Sequence, residues 1–199
     1  MIDSPLVTAE RYGRVIKSTV ETFVAECFTN AAAPPLGELL VVEDGTPIIA
    51  IVADISTESR DGTRPLGLHG GPEDDLQHVL DANPHIPALL RTCFTGVVAG
   101  YWEDHHLRQY LPSAPPPVQA RVRRATAAEC AGLIASFDFL RLLLGVAPHA
   151  DDAIAAALRR LAPPEPERRP FLVRAGKALT VLLAEDPPRL HALLRRLQG

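Results

Sequence analysis

With 199 residues, 47% of them hydrophobic and 22% charged, the chain can bury a sizeable core as one large domain or as a small domain with an appendage, and global disorder is excluded. Aromatic residues make up only 5%, and arginine stands almost everywhere for lysine, with Lys17 and Lys177 against eighteen arginines, a skew attributed to GC-rich coding before any function. The net charge of −4 conceals two halves of opposite sign: residues 1–112 carry sixteen acidic and seven basic side chains, residues 113–199 eight and thirteen.

That polarity either steers the chain onto a charged partner or draws its own halves together. Asp3 and Glu10 flank modest apolar stretches near the N-terminus, which is the pattern of neither a signal nor a transit peptide. No run reaches the roughly 20 apolar residues of a membrane span, since Asp138 and Arg141 interrupt the richest one. Cys27, Cys93 and Cys130 are odd in number, far apart and set among apolar neighbours, the usage of buried free thiols in a reducing compartment. The expectation is a soluble cytoplasmic protein with no cofactor and no membrane partner.

In chain order, Gly13–Phe28 is rich in β-branched and aromatic residues without a helical stripe, so two strands fit it best. Beyond Pro34-Pro35, Gly37-Glu-Leu-Leu-Val-Val-Glu runs into Asp44-Gly45 and then Ile48-Ile-Ala-Ile-Val-Ala-Asp-Ile. That is a hairpin signal, because Asp-Gly tolerates the positive φ of a tight turn, and the second run is apolar enough to be buried on both faces. Residues 58–72 read as a polar loop, Asp74–Ala82 as a short helix, and Pro87 limits the next helix to about Ala88–Thr92. Cys93–Trp102 returns to strand composition with Gly96 and Gly100 at a bulge or corner, and Leu107–Leu111 and Val118–Ala125 supply the last strands. Several short strands with glycine at the bends predict a small closed barrel, with a sandwich as the alternative.

Past Pro112–Pro117 the period changes. Thr126-Ala-Ala-Glu129 matches a capping box, so a helix starts there. Leu133, Phe137, Leu140 and Leu144 recur at helical spacing, with Gly132 and Ser136 as candidate breaks. Ile154 to Leu161, Leu172 to Leu182 and Leu190 to Leu197 form further stripes, which must be buried on one another, on the barrel or on another chain. The fold class expected is therefore α+β: a small N-terminal β-barrel over 1–125, with a short helical insertion near 73–92, followed by a C-terminal bundle of three or four helices over 126–199.

Gly13-Arg-Val-Ile, Leu36-Gly-Glu-Leu-Leu-Val-Val and Ile49-Ala-Ile-Val-Ala-Asp-Ile, continued by Pro115-Pro-Pro-Val-Gln-Ala-Arg-Val, resemble the HAS-barrel family. That family is the barrel that precedes the motor in HerA-type DNA translocases and in the catalytic subunits of rotary ATP synthases. The resemblance spans about residues 10–130 and implies ring assembly or docking through the barrel, with chemistry done elsewhere. A P-loop motor needs Gly-x-x-x-x-Gly-Lys-Ser/Thr; at the one Gly-Lys, Gly176-Lys177, Phe171 stands for the first glycine and Ala178 for the hydroxyl, so helices replace the motor.

Glu103-Asp-His-His106 is the densest set of metal-ligand types, yet adjacent strand residues face opposite sides, so an exposed hairpin turn explains it better. His149 beside Asp151 and Asp152 is weaker still, since acids beginning a helix suit its dipole. Leu68-His-Gly-Gly71 has the form of an oxyanion loop without the Gly-x-Ser-x-Gly elbow it would serve. Tyr101, Trp102 and Tyr110 are candidate interaction residues, because large aromatics are enriched at contact hot spots, although barrel packing also accounts for them. Arg121, Arg123, Arg124, Arg168 and Arg169 are candidate phosphate contacts. The reading is a non-catalytic binding or assembly protein that docks on a larger complex such as a HerA-type ATPase, or self-associates. The alternatives are a small-barrel nucleic-acid binder using those arginines and a metal-dependent enzyme at 103–106.

Overall fold

The computed structural model describes residues 10–30, 32–62, 66–146 and 150–198. Seven strands among them form one antiparallel sheet: β1 Arg11–Ser18, β2 Thr22–Cys27, β3 Leu39–Val42, β4 Ile48–Ser59, β5 Leu90–Glu103, β6 His106–Arg108 and β7 Arg121–Arg124. Their order is β2-β1-β7-β3-β4-β5-β6, and β2 also pairs with β5, so six strands bond in a closed circuit. β2 takes residues 93–97 of β5, and β6 takes Tyr101–Glu103 farther along the same edge.

The apolar runs explain how two cores share one hairpin. Every residue of Leu39–Val42 and Ile48–Val52 is buried. Strand alternation then sends Leu40, Val42, Ile48, Ala50 and Val52 to one cluster and Leu39, Val41, Ile49 and Ile51 to another. The first cluster holds Tyr12, Phe23 and Phe94, with edge-on ring contacts of 6.4 and 6.5 Å. The second is covered by helices. A run hydrophobic at every position thus needs two apolar partners, and each fully buried Leu, Ile or Val is worth about 1.5–3 kcal/mol.

Those helices are α3 Ala127–Leu133, α4 Phe139–Val146, α5 Ala150–Leu161, α6 Arg168–Leu182 and α7 Pro187–Gln198, after α1 Leu76–Ala82 and α2 Ile86–Leu89 inside the strand region. Among the described residues there are thus five C-terminal helices, where three or four are expected from the stripes. They do not wrap a core of their own: α4 packs on β5, α5 on β4, and Ile154, Leu158, Phe171, Leu179 and Leu193 join the sheet residues in one cluster. Gly37, at φ +73°, marks a close approach, because a Cβ there would lie 2.5 Å from Ala156 Cβ and Ala157 N of α5.

Local signals come out as expected at the β1–β2 and β3–β4 pairs and at the capping box, where Thr126 Oγ1 accepts from Glu129 N and the Glu129 carboxylate accepts from Thr126 N. The β4–β5 register slips next to Gly100 and next to Gly96. Gly96 is there for space as well, since a Cβ would sit 2.4 Å from Phe23 Cζ.

Three expectations shift. Pro87 lies in the first turn of α2, where its missing N–H costs nothing, so the helix is Ile86–Leu89 and Leu90–Thr92 already pair with β4. The last strands are short, because Gln109 turns away to the helices, prolines fill 112–117, and Gln119 has a φ of +72°. Phe137, read as part of a helical stripe, sits at the break between α3 and α4 with φ +64°. Burial against Phe139 and Phe171 holds it in that strained conformation. His149 lies outside the described residues.

Candidate functional site

The end of β5 presents the aromatic residues. Tyr101 faces Arg108 across the β5–β6 ladder, Trp102 faces Leu107, and Glu103 faces His106. Neighbours on a strand point to opposite sides, so Tyr101 packs on the inner cluster while Trp102 and Leu107 pack on the helix-covered one. Tyr110 returns to Tyr101 with ring centroids 5.5 Å apart at 84°. The hydrogen bond with Tyr110, then burial and Glu103, push the Tyr101 hydroxyl up to about 12, so it stays protonated at physiological pH. Tyr110 itself is 52% exposed.

Trp102 stands between two clefts. One, of about 450 Å³, is lined by Thr46, Tyr101, Trp102, Asp104 and the prolines 112, 115 and 117. The other, of about 610 Å³, is lined by Val41, Glu43, Trp102, His105, Arg123 and Glu129. Aromatic faces, prolines and carboxylates together form an amphipathic ledge at this end of the sheet.

The 103–106 segment is the expected hairpin turn, tightened by positive φ at Asp104 (+48°) and His105 (+65°). Glu103 pairs with Arg108 at 3.2 Å, and His106 Nδ1 lies 2.8 Å from the Asp104 carbonyl. Among the described residues no three His, Cys, Asp or Glu side chains are placed to hold one metal ion. In the Leu68–Gly71 loop, the Gly71 amide donates to Asp74 Oδ2 at 2.7 Å and so is not free for an oxyanion. Burial raises the thiols of Cys27 and Cys130 to about 11, and burial also pushes the Cys93 thiol upward, which removes thiolate at neutral pH.

The candidate phosphate contacts separate into two groups. Arg121 grips Asp44 through Nε at 3.2 Å and a terminal nitrogen at 2.8 Å, and its backbone N–H donates to the same carboxylate at 2.9 Å. These bonds hold the Asp44 carboxyl down at about 2. Arg123 lies between Glu43 (3.0 Å) and Glu129 (2.8 Å), and Arg124 between Glu10 and Glu38, both at 3.2 Å, with the Tyr12 hydroxyl at 3.1 Å. Apart from the Arg123–Glu129 pair, strand β7 therefore spends its charge on acids of the N-terminal half. Arg168 and Arg169, at the start of α6, make no ion pair among the described residues. The acids of α5 are also committed, Asp151 to Arg189 and Asp152 to Arg196.

Two features have no counterpart in the sequence reading. Glu43 Oε2 is buried without a hydrogen bond, 3.8 Å from the Nε atoms of both Arg11 and Arg121. Gln109 donates to the carbonyls of Gly132 and Leu133 at the end of α3 and accepts from Phe139 N at the start of α4. One side chain thereby satisfies both helix ends at their junction beside the aromatic ledge.

No helix among the described residues is long and apolar enough to cross a membrane. No protein-family model matches the chain, and no curated protein matches it in sequence.

Proposed function

We propose that the chain is a non-catalytic binding and assembly module, a small β-barrel of the HAS-barrel kind whose outer face is capped by its own helices, docking on a larger complex through the Tyr101–Trp102–Tyr110 ledge. The closed circuit of strand pairing supports reading the sheet as a barrel. The observation that carries the docking role is the ledge itself: three aromatics at one end of the sheet, beside two clefts, with Tyr110 half exposed. The partner class that the sequence resemblance implies is a HerA-type DNA-translocating ATPase.

The test is a titration of the full chain against the HerA-type ATPase of the same genome, followed by calorimetry. A micromolar or tighter Kd, weakened about tenfold or more by Tyr110→Ala, is the expected result. Tyr110 is the residue to truncate because its exposure leaves the fold intact. No heat at roughly 50 µM of each protein, about fifty times a micromolar Kd, would end the reading. Salt-sensitive DNA retention by the chain alone would transfer the function to nucleic acid.

A further inference from the structure

Helix α1 has no buried residue, although a seven-residue helix has little stability of its own and ordinarily depends on packing. Asp75 caps its start by accepting from His78 N, and the Asn83 amide closes its end on the carbonyls of Val79 and Leu80. Its first residue, Leu76, is 75% exposed, and Leu68 in the preceding loop is 99% exposed. Glu73, Asp74 and Asp75 directly precede Leu76 in the chain, Asp81 lies farther along the helix, and none has an arginine or lysine partner among the described residues. The patch is apolar and anionic.

Helix α6 carries the opposite combination. It buries Phe171, Ala175 and Leu179 and turns Val173, Lys177 and Val181 outward at i, i+4 and i+8, with Val173 50% and Val181 77% exposed. Arg169 and Arg174 flank this stripe, and neither they nor Lys177 make an ion pair among the described residues. The stripe is about 12 Å long, close to the roughly 10 Å of α1.

We propose that these are the two halves of one contact, α1 of one copy of this chain packing on α6 of the next. The charges are complementary, the lengths match, and the exposure of both Leu76 and Val181 shows that the two patches do not cover each other within a chain. Because each copy carries one patch of each kind, the contact is head-to-tail and is not limited to two copies. It does not rest on the ledge proposed above as a docking site.

Sedimentation velocity of the full chain at roughly 100 µM and about 50 mM salt should show association that reverts to monomer near 0.5 M salt, where the Debye length has shrunk to a few ångströms. Leu76→Glu and Val181→Glu should each weaken association about tenfold or more, since burying one such side chain is worth over 1.4 kcal/mol. Both positions are exposed, so circular dichroism and melting should match wild type. A one-to-one mixture of the two variants should form a dimer and nothing larger, because Leu76→Glu keeps its α6 and Val181→Glu keeps its α1. A wild-type monomer, association untouched by either variant, or a mixture that stays monomeric would each overturn the proposal. So would a monomer that binds a 30-nucleotide DNA probe and loses it on Lys177→Glu, which would make α6 a phosphate-binding face.

Discussion

Strand β7 and helix α6 each carry three arginines in close succession, Arg121, Arg123 and Arg124 on the first and Arg168, Arg169 and Arg174 on the second. On β7 every guanidinium meets a carboxylate of this chain at 2.8–3.2 Å, and Arg123, only 16% exposed, meets two. On α6 the sole partner of these arginines among the described residues is the Phe137 ring, 5.6 Å from Arg174. The difference lies in what the fold places beside each element. β7 is bracketed by β1 and β3, whose flanking residues Glu10, Glu38, Glu43 and Asp44 are acidic, whereas the exposed face of α6 borders solvent. Identical side chains thus form structural ties in one region and free surface charge in the other.

The largest separation of the two regions is expected from Arg123→Ala. It leaves Glu129, 22% exposed, without its counter-ion and Glu43, also 22% exposed, with only the longer 3.8 Å contacts to Arg11 and Arg121. Stranding partly buried carboxylates costs about 3 kcal/mol, a fall in Tm of roughly 6–12 °C for a chain of this size. Thermal melting at pH 7 measures it. A loss under about 1 kcal/mol would place Arg123 with the ordinary surface pairs and dissolve the contrast.

Part of this contrast was legible in the sequence and part was not. The β3–β4 hairpin, the Thr126 capping box and the irregularities beside Gly96 and Gly100 are written in residues a few positions apart, so local chemistry announces them. The charge imbalance between the halves was legible too, but not its resolution, because Arg121 reaches Asp44 across 77 positions and Arg124 reaches Tyr12 across 112. The same holds for Gln109, whose partners lie 23 to 30 residues on and which carries no periodic signature. Phe137 misled because it falls on the helical spacing of Leu133 and Leu140 while its backbone leaves the helix. Within the ledge, alternation of Tyr101 and Trp102 along one strand already implied that they serve opposite faces, and only the return of Tyr110 required the fold.

Acid should divide the regions by titrating one of them. Bonds from Arg121 hold Asp44 near 2, below its unfolded value. For Glu129, burial pushes upward, but the bonds from Arg123 and Thr126 outweigh it and the net direction is down. Groups with folded values below their unfolded ones contribute stability that is complete above the unfolded carboxyl range near 4 and is lost as pH falls through the folded values. Melting temperature should therefore drop from about pH 4.5 towards pH 2. Asp44→Asn, which removes one of these protonations, should make that decline shallower while leaving the free arginines of α6 unaffected. An unchanged slope would mean that the Asp44–Arg121 bonds persist no better in the folded chain than in the unfolded one.

The smallest effect belongs to Arg169. It is exposed and has no ion pair among the described residues, so Arg169→Ala removes no compensated charge and opens no cavity. Its stability cost should stay within about 0.5 kcal/mol, the range of surface substitutions away from special features. Such a near-silent melting curve is what makes the variant informative, because it leaves Arg169 free to be tested for a role in what that face meets without any change in the fold. A loss of 2 kcal/mol or more, on the scale expected of Arg123→Ala, would show that α6 spends its charge inside the chain as β7 does.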